Sequence, residues 1–256
     1  MFHKRVIPCL LLHKGGLYKT IRFKDHTYIG DPINAVRIFN EKEVDELIFL
    51  DIDASVECQE PDYKMIEDIA SECFMPLCYG GGIKNINQMK KLFALGIEKV
   101  SLSSVAAENP GIVREAATVF GSQSVAVTID VLKKALGPYL VVTHNAKKKT
   151  NHRVEDFVVL MQQMGAGELI VNFVNNDGVM KGYDTELLKR VTSRVSLPVV
   201  ALGGAGKLED FSMAVQQSGV SALAAGSLFI YHGPLKGVLI NYPSADLLKL
   251  FFHPGG

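Results

Sequence analysis

The 256 residues carry no surplus of either charge: 27 Lys and Arg stand against 27 Asp and Glu, a formal net charge of +0. Without a basic excess there is no electrostatic footprint for a nucleic-acid backbone. No apolar run reaches the roughly 18 residues of a membrane-spanning helix. Cysteines are few. Cys9, Cys58, Cys73 and Cys78 form no CxxC pair and no Cys/His cluster with zinc spacing. Reduced thiols, no metal, no cofactor and a cytoplasmic location are the simplest expectation. The opening MFHKRVIPCLLLHKGG has only a short apolar run between charges, with no small-residue cleavage site after it, so no signal peptide is expected. Hydrophobic residues at 48% and charged residues at 21% exclude a disordered or collagen-like chain.

What is present is a rhythm. Short apolar runs rich in β-branched residues read as strands at Val6–Leu12, Leu47–Ile52, Met75–Tyr79, Lys99–Ser103, Ser124–Val131, Leu169–Val174, Pro198–Leu202 and Ala222–Ala225. Amphipathic stretches such as Ile86–Leu95 and Leu208–Gln217 separate them. Strands alternating with helices indicate βαβ units and a parallel sheet. Eight units in 256 residues, about 32 residues each, predict a (β/α)8 TIM barrel. A doubly wound open sheet is the alternative, but it rarely repeats so evenly.

The rhythm contains a repeat of half the chain. MPLCYGGGIKN from Met75 echoes LPVVALGGAGK from Leu197, and GIEKVSLSS from Gly96 echoes GVSALAAGS from Gly219. Glu46-Leu47-Ile48 recurs as Glu168-Leu169-Ile170. One barrel domain spanning 1–256 is predicted, with half-barrels at about 1–121 and 122–256. Two segments interrupt it. Residues 132–151, with a Gly-Pro turn, read as a hairpin inserted after the fifth strand. Residues 13–30 read as a long loop after the first, of the kind that binds or covers a ligand.

Chemistry in such a barrel sits at the C-terminal ends of the strands. Gly80-Gly81-Gly82, Ser103-Ser104, Asn176-Asp177-Gly178, Gly203-Gly204 and Gly226-Ser227 all fall there. Glycines let backbone N–H groups approach an anion, although they also serve simply to close tight turns. Their duplication predicts two phosphate sites on opposite sides of the mouth, suited to a long substrate phosphorylated at both ends. The polar candidates on the same face are Lys19, Asp51, Ser101, Asp130 and Asn172. Asp130 ends an otherwise apolar strand, which packing alone explains poorly. Aligning VIPCLL with VAVTID sets Leu11 opposite Asp130, and leucine neither gives nor takes a proton. At the other end, Arg5, Glu46, Lys99 and Glu168 flank four strands. They form either a ring around the axis or an ordinary solvated face.

Together these features resemble the cyclase subunit of imidazole glycerol phosphate synthase. The likeness covers essentially the whole chain through KRVIPCL, DELIFLDIDAS, YGGGIKN, AENP, FGSQSVAVTID, DGVMKGYDTELL and ALGGAGK. The resemblance implies a half-repeated barrel that receives ammonia from a glutaminase bound at its bottom. The ammonia is delivered to a bisphosphorylated ribulose substrate, which yields imidazole glycerol phosphate and an aminoimidazole carboxamide ribotide. It assigns Arg5, Glu46, Lys99 and Glu168 to the ammonia gate, and Glu98 to the glutaminase contact. Gly82, Ser104, Gly178, Gly204, Gly226 and Ser227 fall on the phosphate sites, Lys19 on a lid lysine and Asp130 on one of two catalytic carboxylates.

The chain departs from the family at the top. Leu11 replaces the first catalytic aspartate, Ser103 an asparagine and Val179 a threonine, and the lid segment is altered. This resembles the second-copy paralogues of bacterial surface-polysaccharide loci, which are thought to supply nitrogen to acetamidino sugars with a glutaminase and a sugar amidotransferase. Three functions remain: an ammonia-conducting subunit rededicated to a sugar, a true histidine-pathway cyclase, or a non-catalytic scaffold that activates the glutaminase.

Overall fold

The computed structural model describes residues 4–135 and 137–252; the outer bounds of the 1–256 unit lie outside the described residues. Eight parallel strands form the barrel: β1 (Arg5–His13), β2 (Leu47–Asp51), β3 (Leu77–Gly80), β4 (Lys99–Leu102), β5 (Val125–Lys133), β6 (Glu168–Phe173), β7 (Val199–Leu202) and β8 (Ala222–Ala225). Each pairs with the next, and β8 pairs with β1 (Arg5 with Ala222, Pro8 with Ala225), which closes the sheet. Closure leaves no edge in the central sheet, so the doubly wound alternative is excluded.

A helix follows every strand: α1 (Pro32–Glu41), α2 (Tyr63–Glu72), α3 (Ile86–Ala94), α4 (Gly111–Phe120), α5 (Val154–Gln163), α6 (Thr185–Thr192), α7 (Glu209–Ser218) and α8 (Ala245–Phe252). Their starts are written locally. The Asp31 side chain accepts from Asn34 N ahead of Pro32, and Asp62, Asn85 and Asp184 cap α2, α3 and α6 in the same way. Among the described residues no helix is long and apolar enough to cross a membrane.

Alternation along the strands divides the core in two. On β1, Val6, Leu10 and Leu12 pack outward beneath the helices, while Ile7, Cys9 and Leu11 face the barrel interior. The outer layer is large, with Phe39, Phe49, Leu92, Phe157 and Phe211 all buried. The inner one is a narrow column of Ile7, Cys9, Ile48, Cys78, Ala126, Ile170, Val200, Ala222 and Ala224.

Two segments differ from expectation. Residues 13–30 are not an open loop but an antiparallel ribbon, Gly16–Ile21 against Lys24–Gly30. It extends β1, with Leu11 opposite Tyr18 and His13 opposite Gly16. Tyr, Thr and Ile favour a strand here, and Arg22 and Phe23 turn the chain at φ 54° and 62°. The insertion after β5 is more than one hairpin. The strand β5 itself runs on to Lys133 and pairs with Tyr139–Thr143, which then pairs with Lys148–Arg153. The second turn, at His144–Ala146, has φ values of 53–59°. It lacks the glycine that marks such turns in a sequence, so it was not legible there.

Candidate functional site

One cavity opens at the C-terminal ends of the strands, and it gathers nearly all the residues singled out above. Leu11, Lys19, Gly82, Ser103, Ser104, Asp130, Gly178, Gly204, Gly226 and Ser227 all line it, with Asp51, Ser101 and Asn172. Val179 does not. Several contributors were not singled out, Thr20, Ser55, Thr128, Phe23 and Asn145 among them. Phe23 comes from the tip of the ribbon and Asn145 from the turn after Tyr139–Thr143. Neither carries a local signal, because only long-range folding of both ribbons over the mouth brings them there.

The ribbon is fastened down by Asp177. Its carboxylate accepts from Thr20 Oγ1 at 2.6 Å and Phe23 N at 3.2 Å, and its carbonyl accepts from Arg22 N at 2.9 Å. Gly178 permits this approach, since a Cβ there would meet the Thr20 carbonyl oxygen at 2.0 Å. That closeness explains the glycine without any ligand. The ribbon carries Lys19 inward. Lys19 is 5% exposed, and its Nζ donates to the Cys9 carbonyl at 3.0 Å. Burial lowers its pKa, against the opposing pull of Cys9 and Asp177. Gly226 makes room for it: a Cβ at that position would lie 2.0 Å from Lys19 Nζ.

Asp130 accepts from Asn172 Nδ2 at 3.0 Å. Burial pushes its carboxyl up to about 7, against the lowering effect of the Asn172 and Ser103 hydrogen bonds; Asp177 adds a further upward push. A carboxyl in that range can give or take a proton near neutrality. Across the barrel the equivalent strand offers Leu11, in register with Leu50. Of the Gly-rich turns, Ser104 Oγ accepts from His144 N at 3.0 Å. Gly204 sits where a Cβ would meet the Gly182 carbonyl oxygen at 2.2 Å.

The opposite end of the barrel is closed by charge. Lys99 Nζ lies 2.8 Å from Glu46 and 2.7 Å from Glu168, and Arg5 bonds the other oxygen of each carboxylate. Cation and anion alternate around the axis, with both glutamates almost fully buried. Burial works against the Lys99 ammonium, but Glu168 and Glu46 more than offset it and its pKa is raised. Next to Lys99, Glu98 is exposed, with its carboxylate accepting from Leu77 N. Among the described residues no group of three or more His, Cys, Asp or Glu could hold a metal ion, and all four cysteines are free.

A cavity at the C-terminal face is the general plan of (β/α)8 barrels, and the fold and this cavity place the chain in that class. Within it, the chain belongs to the histidine biosynthesis protein family, whose model matches residues 5–236, and to the cyclase-subunit branch of imidazole glycerol phosphate synthase. It is 51% identical over 253 residues to a putative imidazole glycerol phosphate synthase subunit HisF of Leptospira borgpetersenii, covering 98% of this chain and 100% of that one. It is 51% identical over 250 residues to a putative subunit, hisF3, of Vibrio vulnificus, covering 97% and 96%. To the imidazole glycerol phosphate synthase subunit HisF of Alkaliphilus metalliredigens it is 38% identical over 232 residues, covering 91% and 92%.

Proposed function

We propose that this chain is the ammonia-receiving synthase subunit of a glutamine-dependent complex, rededicated from the histidine pathway to another acceptor. A glutaminase docks over the ring of Arg5, Glu46, Lys99 and Glu168, with Glu98 at the rim. Ammonia crosses the narrow apolar column and emerges beside Asp130. The acceptor is phosphorylated and is held at two turns, one at Gly82 and Ser104 and the other at Gly178, Gly204, Gly226 and Ser227. Asp130 and Lys19 handle protons there. Leu11 removes the second carboxylate that cyclisation requires, which favours a surface-polysaccharide sugar as acceptor, with a sugar amidotransferase as the further partner. The numbered name of the Vibrio relative fits a copy additional to a histidine-pathway subunit.

The observation that carries this reading is the charge ring at one end of a column of apolar side chains whose other end meets the cavity holding Asp130. A second reading, a working histidine-pathway cyclase, is favoured by Lys19 and Asp130 meeting in one cavity. Assaying the purified chain with ammonia and the bisphosphorylated ribulose substrate separates the two. Little or no turnover supports rededication, and turnover comparable to ordinary cyclases overturns it. A complex that hydrolyses glutamine and passes no nitrogen to any acceptor is the scaffold function instead.

A further inference from the structure

Above the charge ring, the polar inward side chains of the barrel strands themselves gather on one stretch of wall. Ser101 on β4, Thr128 and Asp130 on β5 and Asn172 on β6 come from three neighbouring strands. The rest of the wall presents Leu202, in register beside Asn172, and then Ala224, Cys9, Leu11 and Leu50, with the Lys19 ammonium held at the Cys9 carbonyl. Ser101 Oγ and Thr128 Oγ1 lie 2.6 Å apart, and Asn172 Nδ2 donates to Asp130 at 3.0 Å. Asn172 Oδ1 is different. It is buried and has no hydrogen-bond partner among the described residues.

Only a residue without a side chain fits beside that oxygen. Gly203 lies against it, at φ +87°, and a Cβ there would come within 2.8 Å of Asn172 Oδ1. A buried carbonyl without a donor is costly and calls for an explanation. Packing does not require the group. In the other half of the repeat the equivalent register pair is Leu11 with Leu50, where this half has Asp130 with Asn172. Ammonia has the chemistry to supply the missing donor. It brings three N–H donors and one lone pair, and the wall that leads to Asn172 is made of hydroxyls that both give and accept.

We propose that Asn172 is a positioning residue for ammonia, its Oδ1 accepting an N–H at the top of the barrel while its amide nitrogen holds Asp130. The inference rests on the conduit reading above and deepens it. The nitrogen nucleophile is thereby presented from the β4–β6 wall, and the acceptor's reactive carbon lies against that wall.

The test uses the full chain alone. The Asn172 side-chain amide is followed by NMR, with its signal assigned by loss in Asn172→Leu, or in Asn172→Ser if the leucine variant does not fold. Ammonium chloride is titrated at alkaline pH, where uncharged ammonia is abundant. Sodium chloride at equal ionic strength and ammonium chloride at acidic pH serve as controls. The Asn172 amide and the Asp130 carboxyl carbon should shift together and saturably with ammonia only, and the Asp130 shift should be lost in the variant. An Asn172 signal that stays still, that moves equally with sodium chloride, or an Asp130 response unchanged in the variant overturns the proposal. No glutaminase is present, so such a failure leaves the gate intact. Conversely, failure of the gate in the assembled complex leaves this result standing.

Discussion

Leu11 and Asp130 occupy equivalent places in the two halves of the barrel and line the same cavity from opposite walls. One carries a carboxyl pushed up to about 7, and the other carries none. Loss of one positioned acid–base group typically costs about 10²–10⁴-fold in rate. Leu11→Asp should therefore raise ammonia-dependent turnover of the bisphosphorylated ribulose substrate by up to that range. Steady-state kinetics on wild type and variant decide it, and an unchanged rate counts against Leu11 as the point of divergence.

Removing Lys99 leaves Glu46 and Glu168 facing only Arg5. Lys99→Ala should open the ring and let ammonia escape, so the assembled complex hydrolyses glutamine without proportionate transfer. Circular dichroism should be nearly unchanged, because the ring lies outside both apolar cores. Transfer that stays stoichiometric with hydrolysis would falsify the gate.

Asp130 gives a pH signature. Its folded pKa of about 7 lies above the ordinary carboxyl value of 3.8, so between these values the native state binds the proton more tightly. The stability it contributes is present at low pH and is lost as pH rises toward about 7. Asp130→Asn should gain on wild type between about pH 5 and about pH 8 by on the order of 2–4 kcal/mol. Urea unfolding at the two pH values measures it, and a gap that does not change with pH rejects the shifted carboxyl.

Gly226 is a matter of space rather than backbone freedom, since its φ of −105° is open to any residue. Gly226→Ala should push the Lys19 ammonium out of its place beside the Cys9 carbonyl. The lysine end is flexible, so the fold should survive. Amine labelling followed by mass spectrometry should show Lys19 protected in wild type and reactive in the variant. Equal protection in both would mean the side chain simply yields.

Crystals grown in phosphate or sulfate should show an anion near Gly204 and Ser227 and another near Gly82 and Ser104. Gly178 and Gly204 are already explained by the close approach of Thr20 and Gly182. Water alone at both turns, at high sulfate, would leave the glycines a purely structural role.

The eight-fold rhythm, the repeat and the charges at the strand starts were legible because each is written in neighbouring residues. Period-two alternation sends Ile7, Cys9 and Leu11 inward whatever the rest of the chain does. The Leu11 for Asp130 mismatch could be read for the same reason, as a register position in a repeated strand. Resemblance then lent roles to Lys19 and the gate. Tertiary structure decided what no local pattern encodes. It folded the 13–30 ribbon over the mouth, because Asp177 accepts from Thr20 and Phe23 across more than 150 residues of chain. It brought Phe23 and Asn145 to the cavity, closed Arg5, Glu46, Lys99 and Glu168 into one ring, and left Asn172 Oδ1 unpaired beside Gly203. Local sequence sets which way a side chain points, whereas only closure of the barrel sets what it meets.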